Sequence, residues 1–203
     1  MAKKATLIIF SLLIFNLITS CAQTKNGITS ETDSNNAYYS EKEKLNLTLT
    51  ENSFGPLQLP YTEQSISLEL LRGMFNDYLV KKGIGRQDGP NFLYYQILKG
   101  NDEIAFIKMD TDDTTKINRL FFRNAEIADE YGIKIGDTYK EIKKKRRNIK
   151  FLTYHFHTYV SIDNSNIGYK ILGSHEGPDK ENYAEVEILN WQVISLIWFN
   201  NMK

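Results

Sequence analysis

The sequence predicts an α+β fold: a largely antiparallel sheet, or sheets, with two helices and an internal duplication of a β-α-β-β-β unit. Three observations predict it. Residues 92–98, 104–109 and 117–123 are strand-like runs separated by short polar connections, which favour hairpins over crossovers. One stretch carries apolar residues at helical spacing behind a capping serine, and a second helix candidate follows a cap at Asp137 or Thr138. Features of the first half recur in the second at offsets of 74 to 76 residues, and a fixed period is the mark of repetition.

In chain order, Leu45, Leu47 and Leu49 alternate with Asn46, Thr48 and Thr50, the period of a first strand with one buried face. Gly55-Pro56 turns the chain into a short strand at Leu57-Gln58-Leu59. Ser65 or Ser67 caps a helix whose Leu68, Leu71, Phe75 and Leu79 share one face. Gly73 weakens that helix without ending it. Gly83, Gly85 and Asp88-Gly89-Pro90 then make a turn-rich loop ahead of the three strands.

The second half opens at Ile133-Lys134-Ile135, which repeats the Leu57-Gln58-Leu59 alternation at an offset of 76, as Thr138 repeats Thr62. Residues 139–147 form the second helix, capped by Asp137 or Thr138, and residues 151–162 an alternating strand. Tyr169-Lys170-Ile171-Leu172 echoes Tyr95-Gln96-Ile97-Leu98 at an offset of 74, and residues 193–198 echo 117–122 at 76. The halves, about 45–124 and 125–203, are expected to form one domain with one core, because neither carries enough helix to cover its own sheet.

The first 44 residues have a different character. Lys3 and Lys4 precede an apolar run over residues 5–17, the pattern of a secretory signal. That run is shorter than the roughly 20 residues a membrane-spanning helix needs. Leu17-Ile18-Thr19-Ser20-Cys21 resembles the lipobox of bacterial lipoproteins. The resemblance implies that residues 1–20 are a signal peptide removed before Cys21, whose thiol receives a diacylglyceryl group and whose new amine is acylated, as with palmitate. Cys21 is the only cysteine, so no disulfide competes for it, and the domain's stability must come from burial and backbone pairing.

Residues 22–44 are too polar to build a core and read as a disordered tether with a reach of roughly 25 Å. Two or three acyl chains hold a protein stably at a bilayer. The expected partner through Cys21 is therefore the membrane. Ala22 fits an outer-membrane address facing the periplasm, where some inner-membrane lipoproteins carry Asp.

The whole chain holds 25 basic and 25 acidic side chains; without Lys3 and Lys4 the balance is 23 against 25, a formal charge of −2. Such near-neutrality leaves no electrostatic footprint for nucleic acid, and polyanion binding is not expected. The order of features from Gly55 through the segment 132–138 to Trp191 and Trp198 resembles a family of small envelope lipoproteins under sigma-E stress control, classed as a domain of unknown function. The resemblance implies an envelope location and a duplicated α+β fold, and lends no catalytic residue.

Several clusters invite chemistry. Along residues 151–162 the alternation sets His155 and His157 on one face, where two neutral imidazoles suit zinc or copper. His175 and Glu176 are remote candidates to complete such a site. The other reading is two solvated histidines, since no third ligand is fixed; no metal or cofactor is assigned. Asp110-Thr111-Asp112-Asp113 lacks the glycine and the distant glutamate of a calcium loop and reads as a hairpin turn.

Residues 143–147, all Lys or Arg, are either a solvated helix face paired with acids such as Glu141 or a contact for anionic headgroups. Glu126, Asp129 and Glu130 are carboxylates with no sign of convergence on a cleft. No Gly-x-Ser-x-Gly elbow or phosphate loop with lysine occurs. The leading expectation is a non-enzymatic envelope lipoprotein that binds an envelope protein or cell-wall component or supports envelope integrity. The alternatives are a metal-binding protein or metal-dependent hydrolase using His155 and His157, and a small-molecule or glycan binder using an aromatic surface between the halves.

Overall fold

The computed structural model describes residues 45–61, 65–86, 89–154, 157–173 and 183–200. The chain enters along residues 45–50, where the expected strand reduces to single bridges. Leu49 pairs with Phe54 and with Asp129, and only Leu49 of the three alternating leucines is fully buried. A tight hairpin follows, β1 (Ser53–Phe54) and β2 (Leu57–Gln58), turned by Gly55 at φ +54°. That left-handed backbone suits glycine.

Helix α1 (Leu68–Met74) starts at Ser67, whose hydroxyl accepts from the Leu70 amide at 3.1 Å. It is a turn shorter than the spacing predicts. Leu79 leaves the helical face, half-exposed at 49%, and begins β3 (Leu79–Gly85). The reason is pairing: Val80, buried at 1%, alternates with Leu79 and Lys81, and all seven residues of β3 find partners on β4. A strand ladder of that length outweighs one more helical turn beyond Met74.

Gly83 and Gly85 also sit in β3 and not in a loop. They lie opposite Tyr94 and Phe92, and a Cβ at Gly83 would meet the Tyr94 ring at 2.5 Å, while one at Gly85 would collide with the Phe92 ring. Glycines here let rings lie across the strand, an arrangement that recovers packing a glycine strand otherwise lacks.

The meander β4 (Phe92–Lys99), β5 (Asp102–Met109) and β6 (Ile117–Phe122) forms as the sequence predicts. Helix α2 (Tyr139–Lys145) begins at Thr138 in a reciprocal cap, with Glu141 accepting from the Thr138 amide at 2.6 Å. Thr62, its counterpart at the common offset, lies outside the described residues. Residues 151–162 are not one strand. They split into β7 (Ile149–Tyr154) and β8 (His157–Ile162), antiparallel, with Tyr154 opposite His157. The core-facing residues are Phe151 and Thr153 on one arm and Thr158, Val160 and Ile162 on the other, so the alternation changes phase at the turn, which one continuous strand would not do. Strand β9 (Ile167–Leu172), the short helix α3 (Glu185–Ile188), absent from the sequence reading, and β10 (Gln192–Phe199) complete the chain.

The eight long strands form one antiparallel sheet in the order β3-β4-β5-β6-β10-β9-β8-β7. Each half is a helix followed by a four-strand meander, and β6 and β10 join at the centre through Phe122 opposite Leu196 and Leu120 opposite Trp198. The offset of 76 pairs these two central strands correctly. The offset of 74 does not, because it matches β4, second from one edge, with β9, which stands beside the central pair.

The core lies on one face of the sheet. Tyr95, Ile107, Leu120, Tyr169, Leu196 and Trp198 point from the strands into a single cluster with Phe54 of the hairpin, Leu71 and Phe75 of α1, Tyr139 and Ile142 of α2 and Ile188 of α3. That cluster runs through both halves.

Candidate functional site

A buried polar network ties the entering chain to the second half. Arg146, which caps α2 and is 6% exposed, donates to Ser165 Oγ at 2.8 Å and to Glu51 Oε1 at 3.3 Å. Ser165 donates in turn to Glu51 Oε1 at 2.5 Å, and the Asn166 amide donates to Glu51 Oε2 at 2.6 Å. The guanidinium lies 3.6 Å from the centre of the Tyr131 ring. On its other side the Tyr169 hydroxyl donates to Asp129 Oδ2 at 2.6 Å, while Asp129 Oδ1 accepts from the Tyr131 and Ile133 amides. Trp198 Nε1 reaches the Glu51 carbonyl at 3.0 Å.

Burial pushes the Asp129 carboxyl above its ordinary range, against the pull of Tyr169 and the two amides. Burial and the neighbouring Asp129 likewise push the Tyr169 hydroxyl far up. The groups satisfy one another internally, and two surface depressions lie elsewhere, along residues 45–48 with Tyr78 and around 101–103 with 123–126. The arrangement is a clamp, holding the segment around Glu51 against the loop after β8.

Cys21, His155, His175 and Glu176 lie outside the described residues; His157 opens β8, and its side chain lies outside them too. Among the described residues no three His, Cys, Asp or Glu side chains gather as metal ligands. The Asp110 segment is a hairpin turn: Asp110 Oδ1 accepts from the Asp112 and Asp113 amides at 2.9 and 3.0 Å. Asp113, hydrogen-bonded to Lys116 and Thr115, is pulled down to about 2.

The basic run on α2 is divided in its tasks. Lys143 pairs with Glu185 at 2.9 Å, Lys145 reaches the Gly132 carbonyl at 2.6 Å, and Arg146 is buried in the clamp. Glu126 pairs with Lys99 at 2.8 Å and Glu130 accepts from the Glu51 amide at 2.7 Å, so the three carboxylates serve separate partners.

The other face of the sheet has a composition the sequence reading missed. Strand register sets Phe92, Tyr94 and Gln96 of β4, Phe106 and Lys108 of β5 and Arg119 and Phe121 of β6 on this face. Ile197 and Phe199 of β10, Lys170 of β9, Tyr159 of β8 and Leu152 of β7 join them. Tyr94 stacks on Phe106 with centroids 4.8 Å apart, and Phe106 meets Phe121 edge-on at 6.1 Å. Lys108 lies over Phe92 at 4.3 Å, Arg119 over Phe199 at 5.2 Å and Lys170 over Tyr159 at 5.8 Å.

Burial, and after it the neighbouring Arg123, hold the Lys170 ammonium below its usual value. The alternation of Phe106 with Lys108, and of Arg119, Phe121 and Arg123, was visible in the sequence. What joined them into one face was the register, which the sequence does not print.

Among curated proteins none matches the chain. Among solved structures it is similar to the uncharacterised protein yfeY from Escherichia coli, with a TM-score of 0.60 and 19% identity over 75% of this chain and 99% of that one. At that identity the likeness is one of fold. Residues 44–200 match the family described as protein of unknown function, DUF1131, and the chain belongs to that family.

Proposed function

We propose that this protein is a non-enzymatic binding component of the bacterial cell envelope, tethered by lipid at Cys21 and working through the uncovered face of its sheet. The observation that carries the reading is that face: a continuous set of rings and cations spanning both halves, on which no described helix packs. The cationic and aromatic groups there are arranged for contact, while the polar groups on the core side are used up in the clamp.

Residues 1–21 supply the anchor in this reading, and the outer membrane, facing the periplasm, is its address. No helix among the described residues is long and apolar enough to cross a membrane. Mass spectrometry of the native protein tests the anchor. The reading expects a first peptide that begins at Cys21 and carries diacylglyceryl and acyl additions; an unmodified Cys21 thiol on a chain that washes off membranes would end it.

A further inference from the structure

The charge on the uncovered face is far from the balance of the whole chain. Register and alternation place Lys81, Lys108, Arg119, Lys150 and Lys170 there, with Arg123 two residues beyond Phe121, against a single acid in the strands, Glu103. Glu103 accepts from Gln96 at 2.7 Å, and Lys150 is paired with Asp163 at 2.7 Å. Among the described residues the remaining five cations make no ion pair. They are spread over a sheet eight strands wide, about 34 Å from edge to edge at the usual strand spacing.

Five of the rings, Phe92, Tyr94, Phe106, Tyr159 and Phe199, already have a face in contact. Tyr94 and Phe106 cover each other, and Lys108, Arg119 and Lys170 sit over Phe92, Phe199 and Tyr159. A ligand that binds by laying bases or sugar rings on aromatic planes finds those planes occupied. What faces outward is ring edges, ammonium and guanidinium heads, and three leucines: Leu79 and Leu152 on the two edge strands, 49% and 65% exposed, and Leu172 on β9, 41% exposed. Two copies of this chain would bring like charges together, which disfavours self-pairing through the face.

Broad extent, dispersed positive charge and a few exposed aliphatic side chains match an anionic lipid surface. We propose that the uncovered face of the sheet docks on the headgroups of an anionic bilayer. This rests on the binding role proposed above and names its partner. The tether expected over residues 22–44 would keep the face within roughly 25 Å of the bilayer. At such effective concentrations a weak intrinsic affinity suffices.

The test uses the mature polypeptide with Cys21→Ser, so that no acyl chain contributes. Co-sedimentation with vesicles containing phosphatidylglycerol should pellet it, with loss at high salt, whereas neutral phosphatidylcholine vesicles should not. Neutralising Lys81, Arg123 and Lys170 to Gln should lower the partition coefficient roughly a hundredfold, about fivefold for each cation. The same change at Lys140 and Lys144 on α2 should leave it unaltered.

Circular dichroism confirms that each variant folds; if the triple variant does not, Lys81→Gln with Lys108→Gln takes its place and should lower partition about twenty-five-fold. Equal pelleting with neutral vesicles would overturn the proposal. So would loss of binding in the α2 variant, or tight binding to a soluble anionic polysaccharide or single-stranded DNA without vesicle binding. Mass spectrometry of Cys21 is independent of all these outcomes, so a failed anchor and a failed docking face are told apart.

Discussion

Arg146 carries more of the fold than its place in a basic run would suggest. It stands fourth in a stretch of five Lys and Arg residues, yet its side chain is the only one of them buried, between Glu51, Ser165, Tyr169 and the Tyr131 ring. A guanidinium suits the place because it is planar and donates along several directions at once. Arg146→Ala would leave the Glu51 and Asp129 carboxylates without their nearest cation. Breaking a buried pair from one side costs about 3–5 kcal/mol, and the shift of the urea unfolding midpoint should read that loss. Lys144→Ala, on an exposed position of the same helix, should change it by about 0.5 kcal/mol at most. Composition alone could not separate these two residues; helix phase and the C-cap position do.

The elements show where sequence periodicity is informative and where it misleads. Strands β4, β5 and β6 were legible because apolar runs and Asp- or Gly-bearing connections agree. The N-cap threonine of α2 was legible for the same kind of local reason. The β7–β8 reversal was not: Phe151 and Thr153 face the core on one arm and Thr158 and Val160 on the other, so the inward parity switches at a turn that carries no Gly, Pro, Asn or Asp to mark it. Nor was β3, because glycines normally mark loops, and what makes them acceptable is a ring on the neighbouring strand, a non-local fact.

That account predicts opposite signs at two glycines. Gly83→Val should destabilise by roughly 1–3 kcal/mol despite valine's strand propensity, because its side chain must displace the Tyr94 ring. Gly73→Ala in α1 meets nothing within 4 Å and should stabilise by about 0.5–1 kcal/mol. Thermal unfolding of the two variants checks both.

At the scale of the molecule, the α+β class, the antiparallel sheet and the strand that matches β6 to β10 could be read before any coordinates. The candidate site could not. Whole-chain charge averages the cation-rich face with acids that lie elsewhere, so a formal balance hid a strongly basic surface. The expectation of no polyanion binding rests on that average, which the register resolves into two unlike sides of the sheet. The basic run on α2 drew attention as a headgroup contact, but Lys143, Lys145 and Arg146 are engaged within the protein. Aromatic surface was expected between the halves, and it runs across both on the side away from the helices.

The central claim is that this side of the sheet meets the membrane while the helices face away. Lysine footprinting of the full-length protein in an isolated membrane fraction, by brief acetylation followed by peptide mass spectrometry, tests it directly. The account predicts that Lys81, Lys108 and Lys170 are protected relative to the detergent-extracted protein, with Lys140 and Lys144 on α2 modified equally in both. Equal modification of Lys81, Lys108 and Lys170 before and after extraction would contradict it.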